Sequence, residues 1–156
     1  FIHIIQGFVL WVQNSRTRNT GYAIKLGSRG SKWYSRSMGL LGTIILLFLI
    51  VHWNDFWIKA RFTGVEEISI NGTVMADMFS LMKSTFSNIW IVIIYVLGCI
   101  SLAYHLMHGF QSAFRTLGVD NRKYVKMLQG FGNGYAIIVC LAFAMMPISM
   151  YLGWVK

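Results

Sequence analysis

Charged residues, and acidic ones above all, are scarce in this 156-residue chain. Only 12% of its residues are charged and five are acidic, while 56% are hydrophobic; a soluble domain carries about 25% charged residues. Proline occurs once, and the two cysteines, Cys99 and Cys140, lack any metal-binding spacing. No glycine-rich phosphate loop, nucleophile elbow or carboxylate pair is present. The composition indicates a membrane protein whose chemistry, if it has any, belongs to a cofactor.

Apolar runs long enough to cross a bilayer occur three times. A transmembrane helix needs roughly 20 mostly apolar residues, and residues 38–58, 86–114 and 134–154 meet that length. Residues 1–12 are as apolar but about half as long as required, so we expect the sequence to begin inside a helix, with at least one helix upstream. Pro147 is expected to kink or open the last span. The predicted fold is all-α, one transmembrane bundle over residues 1–156.

Basic residues are concentrated in two of the three connecting segments. The formal net charge is +9, and segments 14–36 and 115–129 hold most of the basic residues with a single acid, Asp120. The segment between them, residues 55–83, mixes basic and acidic residues. The positive-inside rule therefore places 14–36 and 115–129 in the cytoplasm and 55–83 outside. This confinement to loops favours a topological signal over nucleic-acid binding.

The outer segment predicts two small features. Ile70 is followed by Asn71 and Gly72, a pair typical of a tight turn. Residues 75–82 carry methionines and a phenylalanine at helical spacing, which predicts a short amphipathic helix at the interface, with plain packing as the alternative. The two cysteines are expected to be small buried hydrophobic residues.

Three histidines lie in apolar stretches, where an unbonded imidazole is costly and therefore suggests a functional site. His3 lies about 20 Å from the cytoplasmic charge boundary and His105 about 15 Å from it, at 1.5 Å per helical residue. At nearly the same depth on two helices, they are candidates to clamp one haem iron. His52 lies about 24 Å from that boundary, so it cannot share this iron and needs another histidine that the sequence lacks.

Two glycines occupy matching positions relative to the proposed ligands. Gly7 follows His3 by four residues, and Gly109 follows His105 by four. A glycine one helical turn away removes the side chain that would crowd a flat macrocycle. The repeated pattern supports haem binding at this depth.

Further residues near the predicted site have two readings each. His108 is about 4.5 Å closer to the cytoplasm than His105; it is a possible ligand, but a hydrogen bond to a haem propionate or to a neighbouring helix explains it better. Arg36, Lys32 and Arg115 are the first charges beyond the spans and are suited to bind propionates. They are equally explained as markers of the positive-inside rule.

Three segments resemble a known family. FIHIIQG at residues 1–7, IVHWNDFW at 50–57 and YHLMHGF at 104–110 look like the second, third and fourth helices of the cytochrome b membrane anchor of succinate dehydrogenase or fumarate reductase, of the bacterial five-helix, two-haem type. The resemblance extends to Ser35-Arg36-Ser37-Met38 with Gly42 at the entry to the third helix and to a fifth helix without histidine. It covers the whole sequence, with one partial and three full spans of five.

The resemblance implies two b haems, with His3 and His105 as iron ligands of the proximal one. The distal haem would take His52 and a histidine of an unseen first helix. Such subunits sit in the bacterial inner membrane, anchor a flavoprotein and an iron-sulfur subunit, and pass electrons to or from a quinone, usually menaquinone. Near the distal haem, Trp53 and Asp55 are candidates for the quinone site. An interfacial aromatic anchor and a solvated helix-end charge are the preferred readings of these two residues.

Three other readings remain open from the sequence, one of them a purely structural membrane anchor without a cofactor. A cytochrome b anchor of a different dehydrogenase, such as a hydrogenase or formate dehydrogenase, would also use paired histidines, at other positions on its helices. A transporter would use the histidines as proton relays. The expected lack of broken helices and membrane carboxylates argues against the transporter.

Overall fold

Long helices make up most of the chain, with one small hairpin between them. The computed structural model describes residues 1–16 and 33–155. In chain order the elements are α1 (Ile2–Arg16), α2 (Trp33–Arg36), α3 (Met38–His52), a π-helical segment π1 (Trp53–Thr63) continuous with α3, β1 (Glu67–Ile70), β2 (Thr73–Ala76), α4 (Met78–Thr85), α5 (Ile89–Thr116) and α6 (Arg122–Tyr151).

Three helices in the described part of the chain are long and apolar enough to cross a membrane: Met38–Thr63, Ile89–Thr116 and Arg122–Tyr151. These correspond to the three predicted spans. Helix α1 has 15 residues, about 22 Å at 1.5 Å per residue, which is less than the roughly 30 Å of bilayer hydrocarbon. Most of the large apolar side chains on the helices are exposed, as expected of surfaces that face lipid. The structure thus confirms a mostly helical architecture with three helices, in its described part, that could cross a membrane.

The last helix is longer than its apolar run. It begins at Arg122 rather than at residue 134, and it passes through Pro147 to Tyr151. Residues 122–129 are therefore helical, and the predicted loop 115–129 was wrong: only Leu117 to Asn121 separate the two helices. The hydropathy pattern marks the apolar part of a helix, whereas hydrogen bonding continues through the polar turns at its end.

Capping residues explain where α5 and α6 begin and end. Asn88 and Asn121 each accept a hydrogen bond from a backbone N–H two residues on, at 2.9 and 3.0 Å. Helix α5 ends at Thr116, and Gly118, two residues later, has a φ of +81° that favours glycine. There Gly118 N–H donates to Arg115 O and Val119 N–H to Phe114 O, the Schellman arrangement.

The outer segment forms a β-hairpin followed by a short helix. Asn71 and Gly72 both have positive φ, 53° and 81°, which makes the two-residue turn between β1 and β2 and confirms the predicted turn. The predicted helix over 75–82 was partly wrong, because Met75 pairs with Ile68 in the sheet. Asp77 instead caps α4, and hydrogen bonds from Ser80 hold the pKa of the Asp77 carboxyl below its ordinary value.

Helix α5 is the central element, packed between α3 and α6 in the described chain. The two glycines at its crossings allow close approach: a Cβ on Gly98 would lie 2.6 Å from Phe48 on α3, and one on Gly132 would lie 2.7 Å from Phe110 Cε1. Cys99 and Cys140 are both buried and unpaired, as predicted. Helix α1 packs against α3 where Trp11 meets Gly39, which places the N-terminal helix beside the α3–α5 pair.

Candidate functional site

Two imidazoles meet between α1 and α5. The ring centroids of His3 and His105 are 6.0 Å apart, and the ring planes are at 88°. The contact brings together the two histidines whose depths were estimated to agree. Their role as ligands of a haem iron stays a prediction.

The His105 ring has an unsatisfied polar atom. Its Nδ1 is buried and has no hydrogen-bond partner among the described residues. A buried polar atom without a partner costs roughly 1–3 kcal/mol, so such an atom suggests that a group outside the described residues completes the site. The ring also lies close to α3, because a Cβ on Gly42 would be 3.7 Å from His105 Cε1. The His105 ring is therefore covered by α3 on one side and contacts His3 on a different side.

The geometry around these two rings fits a group held by two imidazoles. Imidazole nitrogens bind metals at about 2 Å, so two rings on opposite sides of one metal have centroids about 6 Å apart. Perpendicular ring planes are compatible with that arrangement, since each ring can turn about its bond to the metal. Around Gly7 and Gly109 an added Cβ would meet nothing within 4 Å. These open positions, one turn from each histidine, leave room for a flat ligand.

The other predicted residues of this site that the structure describes lie on α5 and α2. His108 is partly buried, one turn beyond His105 on α5. Arg36 ends α2 and Arg115 lies in the last turn of α5, and both are exposed. Lys32 lies outside the described residues. Trp33 on α2 makes a ring contact with Tyr104 at 5.9 Å, which brings the first residue of α2 to the helix that carries His105.

His52 lies at a different level from His3 and His105. The α3–α5 contacts run antiparallel, with Gly42 beside His105 and Phe48 beside Gly98. His52 is ten residues beyond Gly42 along this helix, or about 15 Å. Its ring is exposed and has aromatic contacts with Phe48, Phe56 and Tyr95 at 5.1 to 5.9 Å. The structure therefore separates His52 from the other pair, as the depth estimate requires.

Asp55 corrects the preferred reading from the sequence. It is 8% exposed rather than solvated, and its Oδ2 accepts a hydrogen bond of 3.0 Å from the Tyr95 hydroxyl. Lys59 Nζ lies 4.0 Å from the other carboxylate oxygen. One membrane-crossing helix thus carries a buried carboxylate, contrary to the expectation that the spans have none. Trp53 is 57% exposed and stacks near Trp57, which suits an interfacial anchor.

Tyr95 is the functional candidate that sequence reasoning missed. It is buried in the cluster with Phe86 and Val92, and its ring contacts His52 while its hydroxyl contacts Asp55. No local pattern pairs Tyr95 with Asp55, which lies 40 residues earlier. The only available signal was the unusual carboxylate at the end of an apolar run.

Replacing Tyr95 by phenylalanine should destabilise the protein by about 2 kcal/mol, because the buried Asp55 loses its hydroxyl partner. The measurement is the midpoint of thermal unfolding in detergent. Tyr135→Phe, on the exposed side of α6, is the matched control and should leave the midpoint unchanged. Equal midpoints for the two variants would show that the Tyr95–Asp55 bond contributes nothing to stability.

The fold and the site define a class: a mostly helical protein with three helices in its described part that could cross a membrane, and with two histidine rings in contact between α1 and α5. Among residues 1–16 and 33–155, no group of three or more His, Cys, Asp or Glu side chains is placed to hold a metal ion, whereas ligation by two imidazoles needs only the pair described. Comparisons with protein-family models, with curated proteins and with solved structures give no match.

Proposed function

We propose that the chain is the cytochrome b membrane-anchor subunit of a succinate:quinone oxidoreductase, carrying electrons between an iron-sulfur subunit and a membrane quinone. The observation that carries this proposal is the contact of His3 with His105, whose ring centroids lie 6.0 Å apart. It is supported by the buried Nδ1 of His105, which has no hydrogen-bond partner among the described residues. The family resemblance of the sequence supports the same assignment. We also propose that the helical bundle is of the cytochrome b type.

His3 and His105 would hold the proximal b haem, with Gly7 and Gly109 leaving open space one turn away. Such a haem supplies one-electron transfer when bound. Arg36 and Arg115 would bind its propionates through charge-assisted hydrogen bonds, and Lys32 would join them. His108 would donate a hydrogen bond near the same propionates.

A second site would form at the level of His52. There His52 would be one ligand of the distal haem, as the family resemblance implies. The quinone would lie near Trp53 and Asp55, with menaquinone the expected substrate. Quinone reduction takes up protons, and the Asp55 carboxylate with its Tyr95 hydroxyl partner offers an acceptor and a donor joined by one hydrogen bond. This pair is the structural support for a proton-handling role at that end of the helices.

The partners follow from the same proposal. A flavoprotein and an iron-sulfur subunit would dock on the face of the bacterial inner membrane where the basic segments 14–36 and 115–129 lie. Exposed basic residues at this end of the described chain include Arg36 and Lys123. A surface of one sign favours association with acidic partners.

The test is the electron donor that reduces the haem. In the purified complex under anaerobic conditions, adding succinate should reduce b haem in the absorption spectrum, and adding a menaquinone analogue should then reoxidise it. Formate and hydrogen serve as control donors and should leave the spectrum unchanged. Reduction by formate or hydrogen and not by succinate would assign the anchor to a different dehydrogenase and overturn the proposal.

A further inference from the structure

A cationic cleft lies where α5 turns into α6. Its volume is about 450 Å³, and Arg115, Arg122 and Lys126 line it together with one carboxylate, Asp120. The cleft therefore holds three cations against one anion. An amide, Gln129, completes its polar lining. Apart from Arg115, which the proposed function assigns to a haem propionate, none of these residues is required for holding a group between His3 and His105.

The helical register builds this cleft. Arg122, Lys126 and Gln129 occupy positions i, i+4 and i+7 of α6, so they lie along one face of the helix. Arg115 comes from the last turn of α5, and the short turn between the helices holds the two ends together. Side chains from two helices thus converge on one space, which a chance scatter of surface charge would not produce.

The length of α6 and the polarity of its first turns place the cleft at the expected boundary between membrane and water. Helix α6 has 30 residues, about 45 Å, so it extends beyond the roughly 30 Å of hydrocarbon. In its first two turns, next to the cations, Tyr124 and Met127 are 54% and 61% exposed. Two valines, Val119 and Val125, form the apolar part of the cleft wall. Cations and exposed apolar side chains at one level are what a lipid headgroup and the start of its acyl chains require.

We propose that this cleft binds the headgroup of an anionic phospholipid. Arg122 and Lys126 bind the phosphate oxygens, with guanidinium hydrogen bonds from Arg122 fixing their orientation. The volume lies in the range of small-molecule sites, and the cleft opens at the end of two membrane-crossing helices, where a headgroup reaches it without leaving the bilayer. The lipid would seal the α5–α6 turn, and its binding is independent of haem and of succinate.

Native mass spectrometry of the purified complex tests this site. The complex is exchanged into detergent with equal amounts of dioleoylphosphatidylglycerol and dioleoylphosphatidylcholine, and the retained lipids are counted. The unaltered protein should retain the phosphatidylglycerol several-fold over the phosphatidylcholine. The double variant Arg122→Gln with Lys126→Gln should lower the retention of phosphatidylglycerol by about 25-fold, since each cation near a membrane surface contributes roughly fivefold. Arg115 stays unaltered because it is assigned to a propionate.

Controls separate the site from general charge and from other ligands. Lys123→Gln removes a cation from the same turn that does not line the cleft, and it should change retention less than twofold. Equal retention of the two lipids, or an equal loss in the Lys123 variant, would overturn the proposal. Displacement of phosphatidylglycerol by inorganic phosphate, but not by potassium chloride of equal ionic strength, would assign the cleft to free phosphate instead. Displacement by an acidic partner subunit would assign it to protein docking.

Discussion

Replacing His105 by alanine is expected to remove one b haem from the purified complex and leave the other in place. His105 meets His3 at a ring distance of 6.0 Å, and the ring contacts of His52 are with residues of another level. A bis-imidazole site loses its metal when either ring is removed, so His3→Ala should give the same result. The haem-to-protein ratio of the purified variants is the measurement.

Two further variants make this prediction specific. His52→Ala should remove only the other haem. His108→Ala, one turn from His105 on the same helix, should retain both, because it is assigned to a propionate and not to iron. Loss of both haems from a folded His105→Ala protein would contradict the pairing. A second contradictory result would be a His105→Ala protein that keeps the proximal haem while the His108→Ala protein loses it.

The second large effect is expected from Gly132→Val, at the crossing of α5 and α6. A Cβ at this position would lie 2.7 Å from Phe110 Cε1, too close for Phe110 to remain where it is. Overfilling a packed contact costs about 1–3 kcal/mol, and the valine methyl groups place this variant at the upper end. A Gln111 to Asn133 hydrogen bond of 3.1 Å joins the same two helices, so their separation would weaken it as well.

Gly130→Val is the matched control for this prediction. An added Cβ on Gly130 meets nothing within 4 Å. Gly130 and Gly132 lie on the same helix, so the change in helix propensity from glycine to valine is the same in both variants. Thermal unfolding in detergent should show a clearly lower midpoint for Gly132→Val than for Gly130→Val. Equal midpoints would mean that α5 and α6 do not pack closely at Gly132.

Hydropathy and charge predicted the spans but not where the helices end. The apolar runs predict membrane crossings because a helix that crosses the bilayer needs a certain length of mostly apolar residues. Helix α6 nevertheless begins at Arg122, where the Asn121 cap fixes its first turn. Caps and helix continuation in polar turns depend on local hydrogen bonds, which an average over apolar residues does not register.

The candidate site was partly predictable for a similar reason. Helix rise converts sequence distance into depth, so the common level of His3 and His105 followed from counting residues to the nearest charges. The burial of Asp55 did not follow, because its partner Tyr95 lies on another helix. A carboxylate at a span end is indistinguishable, in sequence, from a solvated one until the packing of α3 against α5 is known.

The most direct test of the central claim is a reduced-minus-oxidised absorption spectrum of the purified complex, with haem and protein quantified in the same sample. The account predicts two b haems per chain. One haem would leave the His3–His105 pair standing and remove the assignment of His52. A folded protein with no haem would contradict the account and return the histidines to proton relay or to packing.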